Sequence, residues 1–455
     1  MLAGLVGAVV GGGLLLRGAW DLWAQSALIL VLLAGLAAWL CGRVIAGWVP
    51  CPESRLSAWA GALASASAVA AFWSPVAVYA RPACAASIVG LALFPIVSAV
   101  DTEGREKLER LLRAAGWALV LVAAYQRVHG VARPPSSLLN PNAFAGAILL
   151  LLPLSARARD WALVAGLLLC LWWTRSVGAW MGLAAALLLH RRAVGPFAFW
   201  AGAAAGSIGL IAILAKLQSP EALHRLAWWG AAWRMAADSP WIGLGPGSFA
   251  YALAAYVPAR PELSSLYAHQ HVLETAAERG WPYAGLWLAG LFVLLQPASA
   301  GRRFGPVAAL IHGLVDYALA VPGVFWLFCA SAALAAPESG RAANVPLRRR
   351  PAIGALTALA LGACALSVWR AWSADRLRAG ATTVLREQRL DEAETLLAAS
   401  ESLSPHPEAA RLRAEIALAS RPERVVDAAA HLRRAVRMDP YRASNRDLLE
   451  AVSRR

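Results

Sequence analysis

The sequence predicts an all-α protein that crosses a membrane many times. Hydrophobic residues make up 59% of its 455 residues and charged residues only 15%, whereas a soluble domain carries about 25% charged residues. Apolar runs rich in leucine and alanine recur from the N-terminus to residue 372. Because these runs lack the period-2 alternation of a membrane β-strand, helices are the structure that can span the bilayer here. We therefore expect a polytopic helical membrane protein.

The apolar runs predict about 12–13 membrane-spanning helices, since a helix needs roughly 20 apolar residues to cross the hydrocarbon core. The predicted spans are 1–16, 25–47, 57–79, 84–100, 114–127, 142–156, 161–174, 176–190, 194–215, 281–297, 305–319, 321–336 and 351–372. The first run lacks a cationic leader and an obvious cleavage site, so a membrane helix is expected there and not a removed signal. Residues 1–374 form the predicted membrane domain, and residues 375–455 form a small, charged, helical C-terminal domain.

Positively charged residues predict the orientation of the chain. They fall in every second predicted loop, and such loops are cytoplasmic by the positive-inside rule. These residues are Arg55, Arg105, Lys107, Arg157, Arg159, Arg191, Arg192, Arg302, Arg303, Arg341 and Arg348 to Arg350. The N-terminus is then cytoplasmic, while segment 128–141, the long outer segment 217–280 and the C-terminal tail face outside. Loops and tail explain the net charge of +15, so no nucleic-acid partner is expected.

The C-terminal tail contains two stretches that match each other, 391–405 and 426–440. In each stretch an alanine precedes a proline by twelve residues, and the two prolines, Pro405 and Pro440, are 35 residues apart. This spacing is close to the period of about 34 residues of the tetratricopeptide helix–turn–helix repeat. We expect a short tetratricopeptide-like module; two unrelated amphipathic helices are the alternative.

Polar motifs are concentrated on the predicted outer side. Asn140 and Asn142 flank a proline just before a membrane helix, a position where asparagine also serves as a turn and N-cap residue. Arg175 lies between two predicted helices. An arginine so close to the bilayer is costly unless it reaches the interface or faces a polar cavity, so both an interfacial and a functional role are open.

The outer segment carries the richest set of polar residues. A tryptophan-rich amphipathic helix contains Arg225 and Arg234, and its tryptophans suit the headgroup zone of a membrane. The glycine loop that follows, Pro240–Phe249, contains Gly245 and Gly247. Its backbone N–H groups could bind an anion, and a plain turn is the alternative.

Two histidines follow in the same segment, His269 and His271, with Gln270 between them and Glu278 further on. On a helix, residues two apart point about 200° apart, so the two imidazoles cannot share a metal ion. The sequence contains neither an HExxH motif nor an Asp-x-Asp pair, and we expect a site without a metal ion. An interfacial histidine without chemistry is the alternative.

Taken in order, these motifs resemble those of the O-antigen ligase and polymerase family of lipid-linked glycan transferases. Members carry an Asn-Pro-Asn-like turn, an Arg-Gly-Trp-like element, an Arg-x-x-x-Trp helix, a Pro-x-x-Gly-x-Gly-x-x-x-Phe loop and a His-Asn-x-x-Leu-x-x-x-x-Glu-x-Gly stretch. The matching residues are Asn140 to Asn142, Arg175 with Ala179 and Trp180, Arg225 with Trp229, Pro240 to Phe249, and His269 with Leu273, Glu278 and Gly280. The resemblance extends over residues 85 to 335.

The chain departs from the family pattern around the histidine. Gln270 replaces the usual asparagine, and Tyr267 stands where a second histidine is often found. Alignment on Glu278 makes His269 the family's histidine, with His271 as the competing assignment.

The resemblance implies a GT-C-like glycosyltransferase of the bacterial inner membrane, with a cytoplasmic N-terminus and a periplasmic tail. Such an enzyme moves a glycan from undecaprenyl diphosphate to an acceptor hydroxyl, inverting the anomeric centre, without a cofactor or a metal ion. Arg175 and Arg225 would bind the diphosphate, and His269 would take the proton of the hydroxyl. The remaining candidates, for substrate binding, are Arg234, Asn140, Asn142, Gly245, Gly247, Gln270, His271 and Glu278.

Several activities remain open. Within the family we favour an O-antigen ligase acting on lipid A-core; a repeat-unit polymerase and a protein O-oligosaccharyltransferase are the alternatives. The expected partners are the lipid-linked donor, a glycan or protein acceptor, membrane lipids and a protein bound by the tail. A transporter of lipid-linked sugars and a scaffold are the non-catalytic alternatives. A transporter is disfavoured because it would place charges deep inside helices and show two related halves.

Overall fold

The computed structural model describes residues 1–51, 54–190, 220–257, 263–296, 300–336, 343–346, 350–420 and 424–454, together with isolated positions between 200 and 211. Within these residues the protein is a bundle of α-helices with one pair of short strands. The predicted all-α, polytopic fold class is confirmed. The strands, β1 (Trp48–Cys51) and β2 (Ala343–Pro346), pair in antiparallel register at one end of the bundle.

The helices follow one another with short connections through most of the chain. In the membrane part they are α1 (Leu2–Leu15), α2 (Leu22–Ala46), α3 (Ser54–Phe72), α4 (Ala77–Ser98), α5 (Thr102–Val128), α6 (Pro141–Arg157), α7 (Trp161–Thr174), α8 (Val177–Leu189), α9 (Pro220–Asp238), α10 (Phe249–Ala252), α11 (His271–Arg279), α12 (Trp281–Leu295), α13 (Ala300–Gly313), α14 (Pro322–Ala335) and α15 (Arg350–Arg386). The tail adds α16 (Leu390–Leu403), α17 (Pro407–Ala419), α18 (Val425–Met438) and α19 (Ala443–Ser453).

Four described helices are long and apolar enough, by length and composition, to cross a membrane: Leu22–Ala46, Ala77–Ser98, Thr102–Val128 and Gly354–Arg386. Shorter apolar helices of 10–17 residues accompany them, among them α1, α6, α7, α8, α12 and α14. Every predicted span except 194–215 overlaps a described helix. Span 194–215 lies mostly outside the described residues. The total of about 12–13 crossings therefore stays a prediction.

Three predicted spans differ clearly from the helices that occupy them. The span predicted at 57–79 covers the end of α3 at Phe72 and the start of α4 at Ala77. The span predicted at 305–319 is interrupted, because α13 ends at Gly313 and a turn carrying Asp316 follows. A carboxylate is costly in the lipid-facing part of a helix, and the turn gives it polar neighbours instead. The last span, predicted at 351–372, belongs to a helix that continues to Arg386. The predicted domain boundary at residue 374 thus lies within one continuous helix.

Glycines bring α8 into close contact with α13. A Cβ atom on Gly182 would lie 2.5 Å from the carbonyl oxygen of Ala308, and one on Gly178 would lie 2.8 Å from the side chain of Val315. Membrane helices approach closely where small residues face each other. This packing fixes the C-terminal end of α13, where the polar residues described below are gathered.

We expect Gly182→Ala to lower the free energy of unfolding by about 1–3 kcal/mol, because the new methyl group must displace the backbone of Ala308. Thermal unfolding of the detergent-purified protein measures the effect. Gly61→Ala is the matched control, since a Cβ at Gly61 would meet nothing within 4 Å. Equal unfolding temperatures for the two variants would contradict the close α8–α13 contact.

The two matching stretches of the tail occupy α16 and α18. Each contributes a fully buried alanine, Ala393 and Ala428 respectively. Successive helices from α15 to α19 pack against one another, as helix–turn–helix repeats do. The assignment to tetratricopeptide repeats stays a prediction.

The tail and the outer segment lie at the same end of the bundle. The Tyr79 hydroxyl, at the start of α4, donates to Oδ2 of Asp439 at 3.3 Å, and its ring stacks on Tyr251. Tyr441 of the tail packs on an apolar cluster that includes Trp228. These contacts require both segments to be on one side of the membrane, as the distribution of positive charge predicts. That this side is the periplasm stays a prediction.

Candidate active site

A buried carboxylate, Asp316, is the centre of a charged cluster just after the end of α13. The residue is 3% exposed. Nη2 of Arg225 lies 3.8 Å from its Oδ2, Nδ1 of His269 lies 3.6 Å from its Oδ1, and Nε2 of His312 lies 3.9 Å from its Oδ2. We call these four residues the Asp316 cluster. The structure thus brings together two of the three predicted catalytic residues, Arg225 and His269.

Arg225 is held by α9 and by the turn after α13. Its Nη1 donates to the carbonyl oxygen of Val315 at 2.9 Å, while Nη2 faces Asp316. The side chain is 33% exposed, so part of the guanidinium can still reach a ligand. Arginine binds phosphate oxygens through two parallel N–H groups, and this partly exposed position suits that role.

His269 lies in the loop just before α11 with a φ of +56°, an uncommon conformation for a residue with a side chain. Gln270 is the N-cap of α11, its side chain accepting a backbone N–H of the first turn. The imidazole stacks on the indole of Trp228, with ring centroids 5.0 Å apart, and meets the ring of Tyr317 edge-on at 4.7 Å. With Nδ1 directed at Asp316, Nε2 lies on the opposite edge of the ring.

The cluster keeps the Asp316 carboxyl ionised. Burial by itself would raise the pKa of this carboxyl, but the interaction with His269 and the charges of His312 and Arg225 outweigh burial and leave the pKa below its usual value. Because the folded-state pKa is lowered, the contribution of this carboxylate to stability is complete above about pH 4 and is lost as the pH falls through the lowered pKa. A negative charge is therefore present beside His269 at neutral pH.

His312 connects Asp316 to the turn between α7 and α8. Its ring is fully buried, and its Nε2 lies 3.5 Å from the hydroxyl oxygen of Ser176. Cβ atoms on Gly146 and Gly178 would approach the same ring at 3.5 and 3.2 Å. The absence of side chains at these two glycines makes room for the imidazole, which is thereby fixed beside Asp316.

Arg175 ends α7 with a φ of +52° and an exposed side chain. It directly precedes Ser176, so its backbone lies next to the Asp316 cluster. Among the described residues, no hydrogen bond or ion pair connects its guanidinium to Arg225 or His269. The third predicted catalytic residue is therefore placed beside the cluster and not inside it.

The predicted asparagine turn is tied to the same place by a further arginine. Oδ1 of Asn140 accepts the N–H of Asn142 at 2.7 Å and caps α6. Nη2 of Arg133 donates to Oδ1 of Asn142 at 3.4 Å, and its Nε donates to the carbonyl oxygen of Thr174 at 2.9 Å. Arg133 therefore connects the start of α6 to the turn that carries Arg175.

The glycine loop and Arg234 bind other parts of the outer segment. The exposed Arg234 donates to the carbonyl oxygen of Tyr256. Gly245 and Gly247 adopt φ values of +105° and +69°, which glycine tolerates without strain. The N–H of Gly245 donates to the carbonyl oxygen of Glu278 at 2.8 Å, so this donor is used inside the protein to attach the loop to α11.

His271 and Glu278 face a different space from His269. Both line a cavity of about 520 Å³. The ring of Tyr267 also lines this cavity and stacks on Tyr317 at 4.6 Å, while the ring of Tyr317 contacts His269. Two aromatic rings thus separate the two histidines, and His269 is the one that belongs to the Asp316 cluster.

Three residues of the site were missed by sequence reasoning: Asp316, His312 and Arg133. A signal for the first two exists, because an ionisable residue inside a predicted membrane span is a candidate functional residue by default. Within the span predicted at 305–319, the i, i+4 spacing of His312 and Asp316 also predicts that they lie on one helical face. Arg133 carries no comparable signal, since a single arginine in an outer loop is ordinary.

The partly exposed guanidinium of Arg225 is the group of the cluster that suits an anionic ligand. Within the described ranges, no three His, Cys, Asp or Glu side chains are arranged to hold a metal ion. Asp316 is already surrounded by one guanidinium and two imidazoles, which leaves the outer face of Arg225 as the polar group open to a negatively charged ligand.

One comparison with known proteins covers part of this site. Residues 143–288 match the family model described as O-antigen ligase. The matched region spans about a third of the chain and contains Arg175, Arg225 and His269, but ends before Asp316. A comparison with curated proteins returns no significant match. Over this part of the chain, the match supports the O-antigen ligase family that the order of the motifs indicates.

Proposed function

We propose that the protein transfers a glycan from undecaprenyl diphosphate to an acceptor hydroxyl on the periplasmic side of the bacterial inner membrane, and that the acceptor is lipid A-core. One observation carries this proposal: Asp316 holds a guanidinium and an imidazole, from Arg225 and His269, next to each other. Arg225 can then bind the diphosphate of the donor, while His269 accepts the proton of the acceptor hydroxyl in the same place.

The role assigned to Arg225 follows from the leaving group. A diphosphate leaves as a stable anion and needs positive charge where negative charge develops, not a general acid. Arg225 keeps part of its guanidinium exposed while Val315 and Asp316 fix the rest. Arg175, on the neighbouring turn, supplies a second exposed guanidinium that can fold over the same diphosphate.

The role assigned to His269 follows from the acceptor. A sugar hydroxyl is a weak nucleophile, and a neutral imidazole can take its proton near neutral pH. The hydroxyl oxygen forms a bond to the anomeric carbon as the bond from that carbon to the phosphate oxygen breaks. The electron pair of the broken bond leaves with the diphosphate, and the proton moves to Nε2 of His269. Attack from the face opposite the diphosphate inverts the anomeric centre.

Asp316 is a positioning residue in this scheme. Its Oδ1 lies 3.6 Å from Nδ1 of His269. In the scheme the two atoms approach to hydrogen-bonding distance when substrate binds, which selects the tautomer with an unprotonated Nε2 and stabilises the imidazolium that forms. The glycosyl phosphate bond supplies the driving force, so the chain's own residues need only bind, orient and move one proton.

Deleting the gene in its host tests the assignment of substrate. If the protein is an O-antigen ligase, we expect the deletion strain to contain uncapped lipid A-core and long polymer retained on the carrier lipid. Wild-type protein should restore the surface-polysaccharide ladder on a gel, and Arg225→Ala should not.

Other outcomes of the deletion are informative. Core bearing single repeat units would identify a polymerase, and loss of glycoproteins with intact lipopolysaccharide would identify a protein glycosyltransferase. If lipopolysaccharide, carrier-linked glycan and glycoproteins are all unchanged, the proposed function is wrong.

A further inference from the structure

A second polar site lies on the other side of Tyr267 from the Asp316 cluster. This is the cavity of about 520 Å³ lined by His271, a volume within the range of roughly 300–1,000 Å³ that is usual for small-molecule sites. Trp20 of the N-terminal part, Trp287 of α12 and Phe325 of α14 contribute aromatic walls. None of these residues takes part in the proposed transfer step.

The tail forms one wall of this cavity. The tail-side residues that line it are Asp375, Arg378, Ser404 and His406. The ring of His406 meets the ring of Tyr79 edge-on with centroids 5.4 Å apart, and the Tyr79 hydroxyl donates to Asp439. The tail, which the motif resemblance does not cover, thus lines part of this cavity.

Two polar atoms of the lining are buried without a partner among the described residues: Nε2 of His271 and Nε1 of Trp287. A buried donor or acceptor left unpaired costs about 1–3 kcal/mol, and most such atoms in proteins are paired. Both residues line the cavity, so its wall contains two unpaired polar atoms that hydrogen bonds from a ligand would stabilise.

The charges of the lining are paired within the protein. Arg279 contacts Glu278 at 3.0 Å and donates to the hydroxyl of Ser87 at 2.8 Å, and Arg378 contacts Asp375 at 2.9 Å. An anionic ligand would have to compete with these carboxylates. The cavity therefore offers hydrogen-bonding groups without a large excess of either charge.

The imidazoles of the lining are neutral at physiological pH. Burial, assisted by the charge of Arg279, lowers the pKa of His271 to about 4. Burial, assisted by the charge of Arg378, lowers the pKa of His406 to about 3. Burial also raises the pKa of Glu274 well above its usual value, with Glu278 adding to the effect, which favours the uncharged acid.

We propose that this cavity binds an uncharged sugar unit of the glycan substrate, and that the tail, through Ser404 and His406, helps to select it. Sugar rings combine hydroxyl groups with apolar faces, and they need what this cavity offers: neutral hydrogen-bonding groups beside aromatic rings. That the sugar belongs to a transferred glycan rests on the proposed function. That the cavity binds a sugar does not.

Saturation-transfer difference NMR on the full-length protein in nanodiscs tests the proposal without any transfer reaction. The probes are N-acetylglucosamine, glucose, galactose and rhamnose, with undecaprenyl phosphate as a lipid probe. We expect saturation transfer to at least one sugar. We expect His271→Phe and His406→Asn to raise its Kd by about tenfold each, the effect of losing one hydrogen bond to a buried group.

The variants are chosen to keep the fold. Phenylalanine preserves the ring of His271 but not its nitrogen atoms. Asparagine preserves the N-cap that His406 provides to α17 through Nδ1. His431→Asn is the control, because His431 lies on α18, beside Arg413 and away from the cavity lining.

The possible results separate the two proposals. No sugar signal with the wild-type protein, or equal Kd values in all variants, would overturn the sugar site. Saturation transfer to undecaprenyl phosphate in place of the sugars, lost in His271→Phe, would overturn it in favour of a lipid site. Sugar binding that is lost in the variants of a protein without any transfer activity would support the sugar site and contradict the proposed function.

Discussion

His269→Ala is expected to lower the rate of glycan transfer by about 10²–10⁴-fold, the usual contribution of a general base. The imidazole is the group beside Arg225 that can accept the proton of the attacking hydroxyl, and methyl cannot replace it. The measurement is single-turnover transfer in proteoliposomes, with lipid-linked glycan extracted from a deletion strain as donor. Donor binding should change little, because Val315 and Asp316 still hold Arg225.

Two comparisons make this result decisive. His129→Ala removes an exposed histidine at the end of α5 and should leave transfer at the wild-type rate. His271→Ala tests the competing assignment. If transfer is abolished in His271→Ala but normal in His269→Ala, His271 is the base and the Asp316 cluster takes no part in catalysis.

The helices of the membrane part could be predicted from the sequence because the bilayer leaves few alternatives. Backbone groups in hydrocarbon must be paired within a helix, so the apolar runs that the structure describes form helices, from Leu2–Leu15 to Pro322–Ala335. Helix ends were less predictable. The run at 305–319 ends early because Asp316 takes polar neighbours from α9 and from the loop before α11, and hydropathy along the chain contains no information about such neighbours.

Part of the site could be predicted from the sequence, because some of its residues belong to motifs within one segment. Arg225 and His269 lie in one segment, and the order of motifs around them indicates the family. Their common partner, Asp316, comes 47 residues after His269 and is brought back by the packing of α13 on α8. The positions of Gly146 and Gly178 matter for that packing only once His312 is seen between them. A single sequence does not reveal residues that are brought together only by tertiary contacts and share no motif.

Asp316→Asn is expected to reduce turnover by about 10²–10⁴-fold, with a smaller effect on the KM for the donor. An amide has nearly the shape of the carboxylate but no charge to stabilise an imidazolium at His269, and it can select the wrong tautomer; in serine proteases the same change costs about 10⁴-fold. Arg225 keeps its hydrogen bond to Val315, so the diphosphate should still bind. Initial rates at varied donor and acceptor concentrations separate kcat from KM.

A purely structural role of Asp316 makes a different prediction. Removing one partner of a buried charge cluster costs about 3–5 kcal/mol, so a structural carboxylate would lower the unfolding temperature and reduce kcat only in proportion to the folded fraction. Thermal unfolding of the same samples measures that fraction. Asp238→Asn is the matched control in the outer segment, where the exposed Asp238 accepts a hydrogen bond from the Tyr256 hydroxyl at 2.9 Å. If folded Asp316→Asn protein turns over as fast as folded Asp238→Asn protein, Asp316 does not position the base, and the imidazole of His269 must act without it.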